Sequence, residues 1–194
     1  MLYKIAHLLR DKLSWLWDVI ERLNSWLFSL RYGKRLKDFS FTTNLEGYEV
    51  VPLRDVPTER MVAFFEHQPD EAYTFFRPHG FDAVSIKKLQ KSRAFLAYVL
   101  IDKEKGKIAG YCFNRSFFHG VGFRGRMVDI DYRSKGFGTA MNKMLNEVGF
   151  HIGLRLFETV SKDNTASYKS ALSASKVKIV KELPHNEVYL EILP

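Results

Sequence analysis

The run RMVDIDYRSKGFGTAMNKML, residues 126–145, constrains the fold more than any other stretch of the chain. It opens on a strand-like alternation (126–131), passes through DYRSKGFG, and re-emerges with helical spacing over residues 139–151. Two glycines and a basic pair between those runs predict a tight strand–turn–helix unit, with the helix starting at about Gly138–Thr139. A helix start presents unpaired N–H donors and about half a positive charge. Gly136 and Gly138 keep side chains away, so backbone amides can meet a phosphate directly, while Arg133 and Lys135 add point charges. The residues also suit a plain tight turn, and taken alone they do not choose between the two.

The surroundings alternate strand and helix. YEVVPLRDV (48–56) reads as a strand running into a turn, and PTERMVAFFEHQ (57–68) as a helix with proline near its first turn. EAYTFFRPHGFD (71–82) breaks at Pro78 and Gly80, and residues 83–92 read as helix. AFLAYVLID and KIAGYCFNR, joined by KEKG, form a hairpin, and a glycine-containing turn over 117–125 leads to strand 126–131. Residues 154–160 are strand, 164–174 helix, and KVKIVKE with EVYLEIL a closing hairpin around LPHN. The pattern is that of one mixed sheet flanked by helices, an α/β (α+β) arrangement over residues 39–194.

Residues 1–38 precede this domain as an amphipathic helical extension. Ala6, Leu9, Leu13, Leu16, Ile20, Leu23, Leu27 and Leu30 recur in steps of three and four, an apolar seam uninterrupted before Gly33. Trp15, Trp17 and Trp26 lie in the same segment, and Arg31, Lys34, Arg35 and Lys37 follow. Three uses fit: packing on the main domain or on a second copy, lying on a membrane surface, or contacting nucleic acid. The apolar residues are too numerous for a nucleic-acid arm, which leaves a homodimer, an intramolecular contact or a membrane surface.

The formal net charge is +8, and the first 38 residues carry half of it, with eight Lys and Arg against four Asp and Glu. Such a balance favours phosphate-rich ligands or anionic surfaces. A single cysteine, Cys112, excludes an intrachain disulfide framework and a thiolate zinc cluster, and points to a reducing compartment. The six histidines lack the helical spacing of a zinc hydrolase, so no metal is expected. No stretch is apolar over the roughly 20 residues needed to cross a bilayer, and the N-terminus lacks a signal-peptide layout. The expected location is cytoplasmic, with a peripheral position at the inner face of the membrane if the helix binds lipid.

Two familiar phosphate motifs are absent. A dinucleotide fingerprint would place a third glycine where Met141 stands, and no G-x-x-x-x-G-K-[ST] run exists. Instead VDIDYRSKGFG resembles the acyl-CoA signature of the GNAT N-acyltransferase superfamily, (R/Q)-x-x-G-x-(G/A) after a strand: Arg133, Gly136 and Gly138, with Val128 five residues ahead. The order of elements over residues 46–194 agrees. The resemblance implies a GNAT fold, with a sheet of about six to seven strands, and acetyl-CoA or a close relative as cosubstrate. Backbone around Val128 and Ile130 would pair with the pantetheine arm. Amides of Arg133, Ser134, Lys135, Gly136, Phe137, Gly138 and Thr139 would hold the pyrophosphate. Asn164 and Ser167 match an asparagine and a small residue that the family often sets near the pantetheine, and Asn164 equally suits a helix N-cap.

The sequence departs from the family pattern in three places. Ala171 stands where many members have the tyrosine that protonates the leaving thiolate; Tyr168 lies one helical turn away. Ser175 and Lys176 replace the usual Gly-Phe, and Arg124 and Arg126 occupy the strand where some relatives have a glutamate. Transfer to an amine needs that amine neutral. Asp129, His79 and His119 are the available bases, and Asp129 equally suits a solvent-facing strand position. Cys112 lies in the hairpin strand, away from the signature, which argues against a cysteine nucleophile.

FFRPHGFD (75–82) sits in the helix–helix connection where this superfamily builds its acceptor wall, and it is similar to segments of GNAT proteins from bacterial surface-glycan pathways. Phe76, Arg77 and His79 would suit an amino sugar, with rings against the pyranose and arginine on a nucleotide diphosphate; the same segment also suits a core-packing turn. The expectation is direct acetyl transfer to a small-molecule primary amine, an amino sugar of polysaccharide biosynthesis. The rivals are a protein or peptide amine acetyltransferase and a non-catalytic CoA-binding adaptor.

Overall fold

The computed structural model describes residues 14–194. Seam positions Ala6, Leu9 and Leu13 lie outside that range. The helices are α1 (Ser14–Lys37), α2 (Thr58–Glu66), α3 (Ala83–Lys91), α4 (Phe137–His151) and α5 (Thr165–Ala174). The strands are β1 (Tyr48–Pro52), β2 (Phe95–Asp102), β3 (Ile108–Phe117), β4 (Val121–Val128), β5 (Arg155–Ser161), β6 (Lys176–Leu183) and β7 (Glu187–Leu193). They form one seven-stranded sheet in the order β1-β2-β3-β4-β5-β7-β6. Every neighbouring pair is antiparallel except β4 with β5.

The alternation of β2 and β3 sorts their side chains onto two faces. Phe95, Ala97, Val99, Tyr111 and Phe113 meet Met61, Phe64 and Phe65 of α2 and Ile86 of α3. On the opposite face Leu100 and Cys112 meet Met141, Met144 and Leu145 of α4. Helix α3 starts cleanly because the Asp82 carboxylate accepts from the amides of Val84 and Ser85.

Helix α1 packs on the domain, but not through the expected leucine seam. Phe28 and Tyr32 enter the core beside Ile152 and Leu154. The Asn24 side chain donates to Ser116 O at 3.0 Å and accepts from Phe118 N at 3.0 Å, fixing the helix to the β3–β4 turn. Ile20, Leu23 and Leu30 consequently face solvent. Helix α1 is apolar around most of its circumference, so spacing alone did not distinguish its two faces.

Strand β3 runs on to Phe117, where a turn was expected, and β4 begins at Val121. Strand β4 stops at Val128 rather than 131, because Asp129 caps a short 3-10 turn over Ile130–Tyr132 by accepting from Asp131 N at 3.0 Å. Ile130 is therefore outside the strand.

Candidate active site

Strands β4 and β5 pair only at Val121–Arg155, Gly122–Leu156 and Phe123–Phe157. Beyond them the strands diverge, and residues 124–128 of β4 present backbone with no β5 partner. Three charged side chains stand at this opening. Arg124, buried, donates through Nε to the Glu158 carboxylate and through Nη1 to Asn146 Oδ1 at 2.6 Å. Arg126 lies 3.5 Å from the same carboxylate and donates through Nη2 to Ser167 O at 2.8 Å and Ser167 Oγ at 3.1 Å. One guanidinium thus spans the gap from β4 to the start of α5. Burial lowers the pKa of Arg124, and the charge of Glu158 opposes that fall.

The opening leads to the signature turn. Gln68 fastens its near end, donating to Asp129 Oδ2 at 2.7 Å and accepting from Ile130 N at 3.1 Å. Tyr132 donates to Asp102 at 2.8 Å. The chain then adopts left-handed backbone at Ser134 (φ 62°) and Gly136 (φ 81°) before α4 begins. Among the described residues, none of the amides from Arg133 to Thr139 donates to another group of the chain. Left-handed backbone at Ser134 and Gly136, immediately before the start of α4, leaves these N–H groups free at the positive end of the helix, which suits an anion. Around a Cβ built on Gly136 nothing lies within 4 Å, so the approach is open, whereas a Cβ on Gly138 would meet Ser170 Oγ at 3.1 Å. Phe137 points into the core; the side chains of Arg133, Ser134 and Lys135 are exposed. Lys135 Nζ rests 5.2 Å over the Tyr132 ring.

Asn164 caps α5 by accepting from Ser167 N at 3.1 Å. It therefore does what its N-cap reading requires, and it shapes the same corner of the opening that Arg126 reaches. Thr139 and Ser167 flank that corner. Tyr168 packs partly buried against the core, and Ala171 is fully buried.

The other expected side chains are divided. Asp129 is 4% exposed and both of its oxygens are engaged, so the solvent-facing alternative does not hold. His79 sits among Phe65, Phe81, Phe95 and Phe113. Its Nδ1 contacts Gly80 O at 2.8 Å and its Nε2 contacts the Tyr111 hydroxyl at 3.0 Å. A carbonyl can only accept, so Nδ1 carries the proton and Tyr111 donates to Nε2. Burial holds the pKa of His79 down at about 4. Phe76 stacks on Phe81, and Arg77 is exposed, donating to Tyr73 O at 3.0 Å. Cys112 is not remote from the opening, since it pairs with Arg126 across β3–β4. Burial pushes its thiol up to about 12, which leaves no thiolate to act as a nucleophile.

His67, Asp129 and Asp131 bring ligand-type atoms within 4.8 Å of one another. Asp129 is already engaged by Gln68 and the Asp131 amide, and Lys107 stands 3.8 Å from Asp131.

The sequence did not show the far side of the sheet. Phe123, Phe157 and Tyr189, from β4, β5 and β7, form an aromatic row: Phe157 stacks on Tyr189 at 5.3 Å, and Phe123 lies 6.0 Å from Phe157. Each ring was visible in a strand-like run, but only the order β4-β5-β7 puts them side by side.

Residues 56–171 match the family model described as the acetyltransferase (GNAT) family. Among solved structures, the ribosomal-protein-S5-alanine acetyltransferase of Vibrio fischeri is 18% identical with TM-score 0.61, covering 79% of this chain and 95% of its own. The N-acetyltransferase PseH of Campylobacter jejuni is 13% identical with TM-score 0.55, covering 75% and 97%. AAC(6')-Ib in complex with paromomycin and acetyl-CoA is 13% identical with TM-score 0.53, covering 76% and 93%. No curated protein sequence matches. The family match spans the diverging strands and the amide-lined turn, and the chain belongs to the GNAT acetyltransferase family, as an acyl-CoA-dependent N-acyltransferase.

Proposed function

We propose that this chain uses acetyl-CoA to acetylate the primary amine of an amino sugar by direct attack. The observation that carries the reading is the run of unpartnered amides from Arg133 to Thr139 around left-handed Ser134 and Gly136. Those amides, at the positive end of α4, would grip the paired phosphates. The unpaired edge of β4 up to Val128 would hold the amides of the pantetheine arm as a neighbouring strand would. When bound, acetyl-CoA supplies an activated thioester, and an N–H of that edge is available to polarise its carbonyl.

On this reading Arg126 must release Ser167 or lie along the arm as it enters. Ser167 lies one helical turn before Ala171, on the same face of α5. A guanidinium there would stabilise a departing thiolate by charge, in place of the proton donor that Ala171 lacks. The acceptor would approach from the opposite face, over Phe123 and Tyr189, whose rings suit the apolar face of a pyranose. The acceptor amine must arrive neutral. His79 is unprotonated at neutral pH, but its Nε2 already accepts a hydrogen bond from the Tyr111 hydroxyl, so His79 serves as a base only if that hydroxyl turns away.

Thiol release should be followed with acetyl-CoA and a panel of UDP- and dTDP-amino sugars, free amino sugars and peptides. Turnover confined to amino sugars is expected. Tyr189→Ala should raise KM for the sugar several-fold while leaving KM for acetyl-CoA unchanged, and Arg126→Gln should lower kcat. Turnover of peptides alone, or binding of acetyl-CoA without transfer to any amine, would overturn the proposal.

A further inference from the structure

Helix α1 carries an apolar stripe that the domain does not cover. Trp15, Val19, Leu23, Trp26 and Leu30 are 64%, 49%, 51%, 57% and 66% exposed. At about 100° per residue they fall within one quarter of the helix circumference, opposite Asn24, Phe28 and Tyr32, which hold α1 to the domain. Contiguous apolar surface of this kind marks an interaction site.

The charges around the stripe point to its occupant. Continuing along the same face beyond Leu30 come Lys34 and Lys37, and both line a cavity of about 900 Å³ between α1, the segment after it and the start of β2. Arg54 and Arg93 complete four cations on its wall, against a single acid, Asp55. The acids of α1 are turned elsewhere: Asp18 and Glu21 both pair with Lys88. A second copy of the chain would bring the same lysines and the same +8 charge. An anionic bilayer brings the opposite sign, along with the interface that tryptophan favours.

We infer that α1 is a docking ridge for an anionic lipid surface, with the Trp15–Leu30 stripe lying in the interface and the cavity beside Lys34 and Lys37 receiving lipid phosphate. The helix lies along the surface rather than through it; no helix among the described residues is long and apolar enough to cross a membrane. The ridge is built of residues outside the amide-lined turn and the diverging strands, so its failure would leave the transfer reaction standing.

The chain carries its own reporter, since all three of its tryptophans lie in α1. The full chain should float with phosphatidylcholine vesicles containing phosphatidylglycerol, and not with phosphatidylcholine alone. Its tryptophan emission should shift to the blue on mixing with the anionic vesicles. Lys34→Ala with Lys37→Ala should weaken partitioning roughly twentyfold, and added salt should weaken it further. Trp26→Ser with Leu30→Ser should abolish it while leaving thermal unfolding and acetyl transfer unchanged, because both side chains are exposed. Three results would overturn the inference. One is no flotation with anionic vesicles. Another is equal flotation of the Trp26→Ser, Leu30→Ser variant. The third is a vesicle-independent dimer, seen by sedimentation, that this variant dissolves.

Discussion

The most quantitative expectation concerns His79. Its imidazole is neutral in the fold because five aromatic neighbours desolvate it and Tyr111 donates to its free nitrogen. In the unfolded chain it should titrate near 6.5, while in the fold burial holds it at about 4. The folded pKa is the lower one, so the unfolded state binds a proton first as pH falls. His79 therefore favours folding fully above about pH 6.5 and loses that advantage progressively down to about pH 4. At 1.36 kcal/mol per pKa unit, the full loss is about 3 kcal/mol, of which about 2 kcal/mol accrues between pH 7 and pH 5. Urea unfolding of the wild type and of His79→Gln at those two pH values isolates this contribution, because the other histidines titrate in both proteins. The wild type should lose about 2 kcal/mol more than the variant over that interval. Equal losses would show that His79 is solvated or charged in the fold, and the aromatic cage would then not control its protonation.

Two further expectations follow from the site. Gly136 has φ 81°, where a branched side chain is strained by about 1–2 kcal/mol, so Gly136→Val should deform the amide-lined turn. Calorimetry with acetyl-CoA should show affinity reduced at least tenfold while the fold persists. Glu158→Gln leaves Arg124 charged, buried and short of its counter-ion; unfolding should become easier by about 3–5 kcal/mol, read as a lower urea midpoint.

Much of this architecture is legible in local patterns. The β2–β3 hairpin, the proline-started α2, the Asn164 cap and the turn at Gly136 each follow from residues adjacent in sequence. What escaped depends on distant registers. The end of β4 at Val128, set by the Asp129 cap, is held in place by Gln68, some sixty residues upstream, which fastens both Asp129 and Ile130. The Arg124–Glu158 pair and the row Phe123–Phe157–Tyr189 exist only because β4, β5 and β7 lie side by side. His79 illustrates a different limit: a loop histidine beside proline and glycine looks available for chemistry, yet the fold surrounds it with rings contributed by four separate segments. For α1, two apolar stripes competed, and polar contacts to distant segments oriented the helix: Asn24 and Arg31 to the β3–β4 turn, Arg35 to Ile152 O and Ser25 to the Arg93 amide.

The brief β4–β5 register also shapes how the sheet holds together mechanically. Three residue pairs join β1–β4 to the β5–β7–β6 half, whereas β3 and β4 alone share eight. Helix α4 spans both halves, with Met141 and Met144 beside Cys112 and with Val148 beside Leu156. Coupling between the two halves therefore runs largely through side chains, those of α4 together with α1 and the Arg124–Glu158 pair. A ligand arm lodged between β4 and β5 would add stitches where the sheet has fewest. Amide exchange in β5 should then slow more on saturation than exchange in β2, whose two neighbours are already in place.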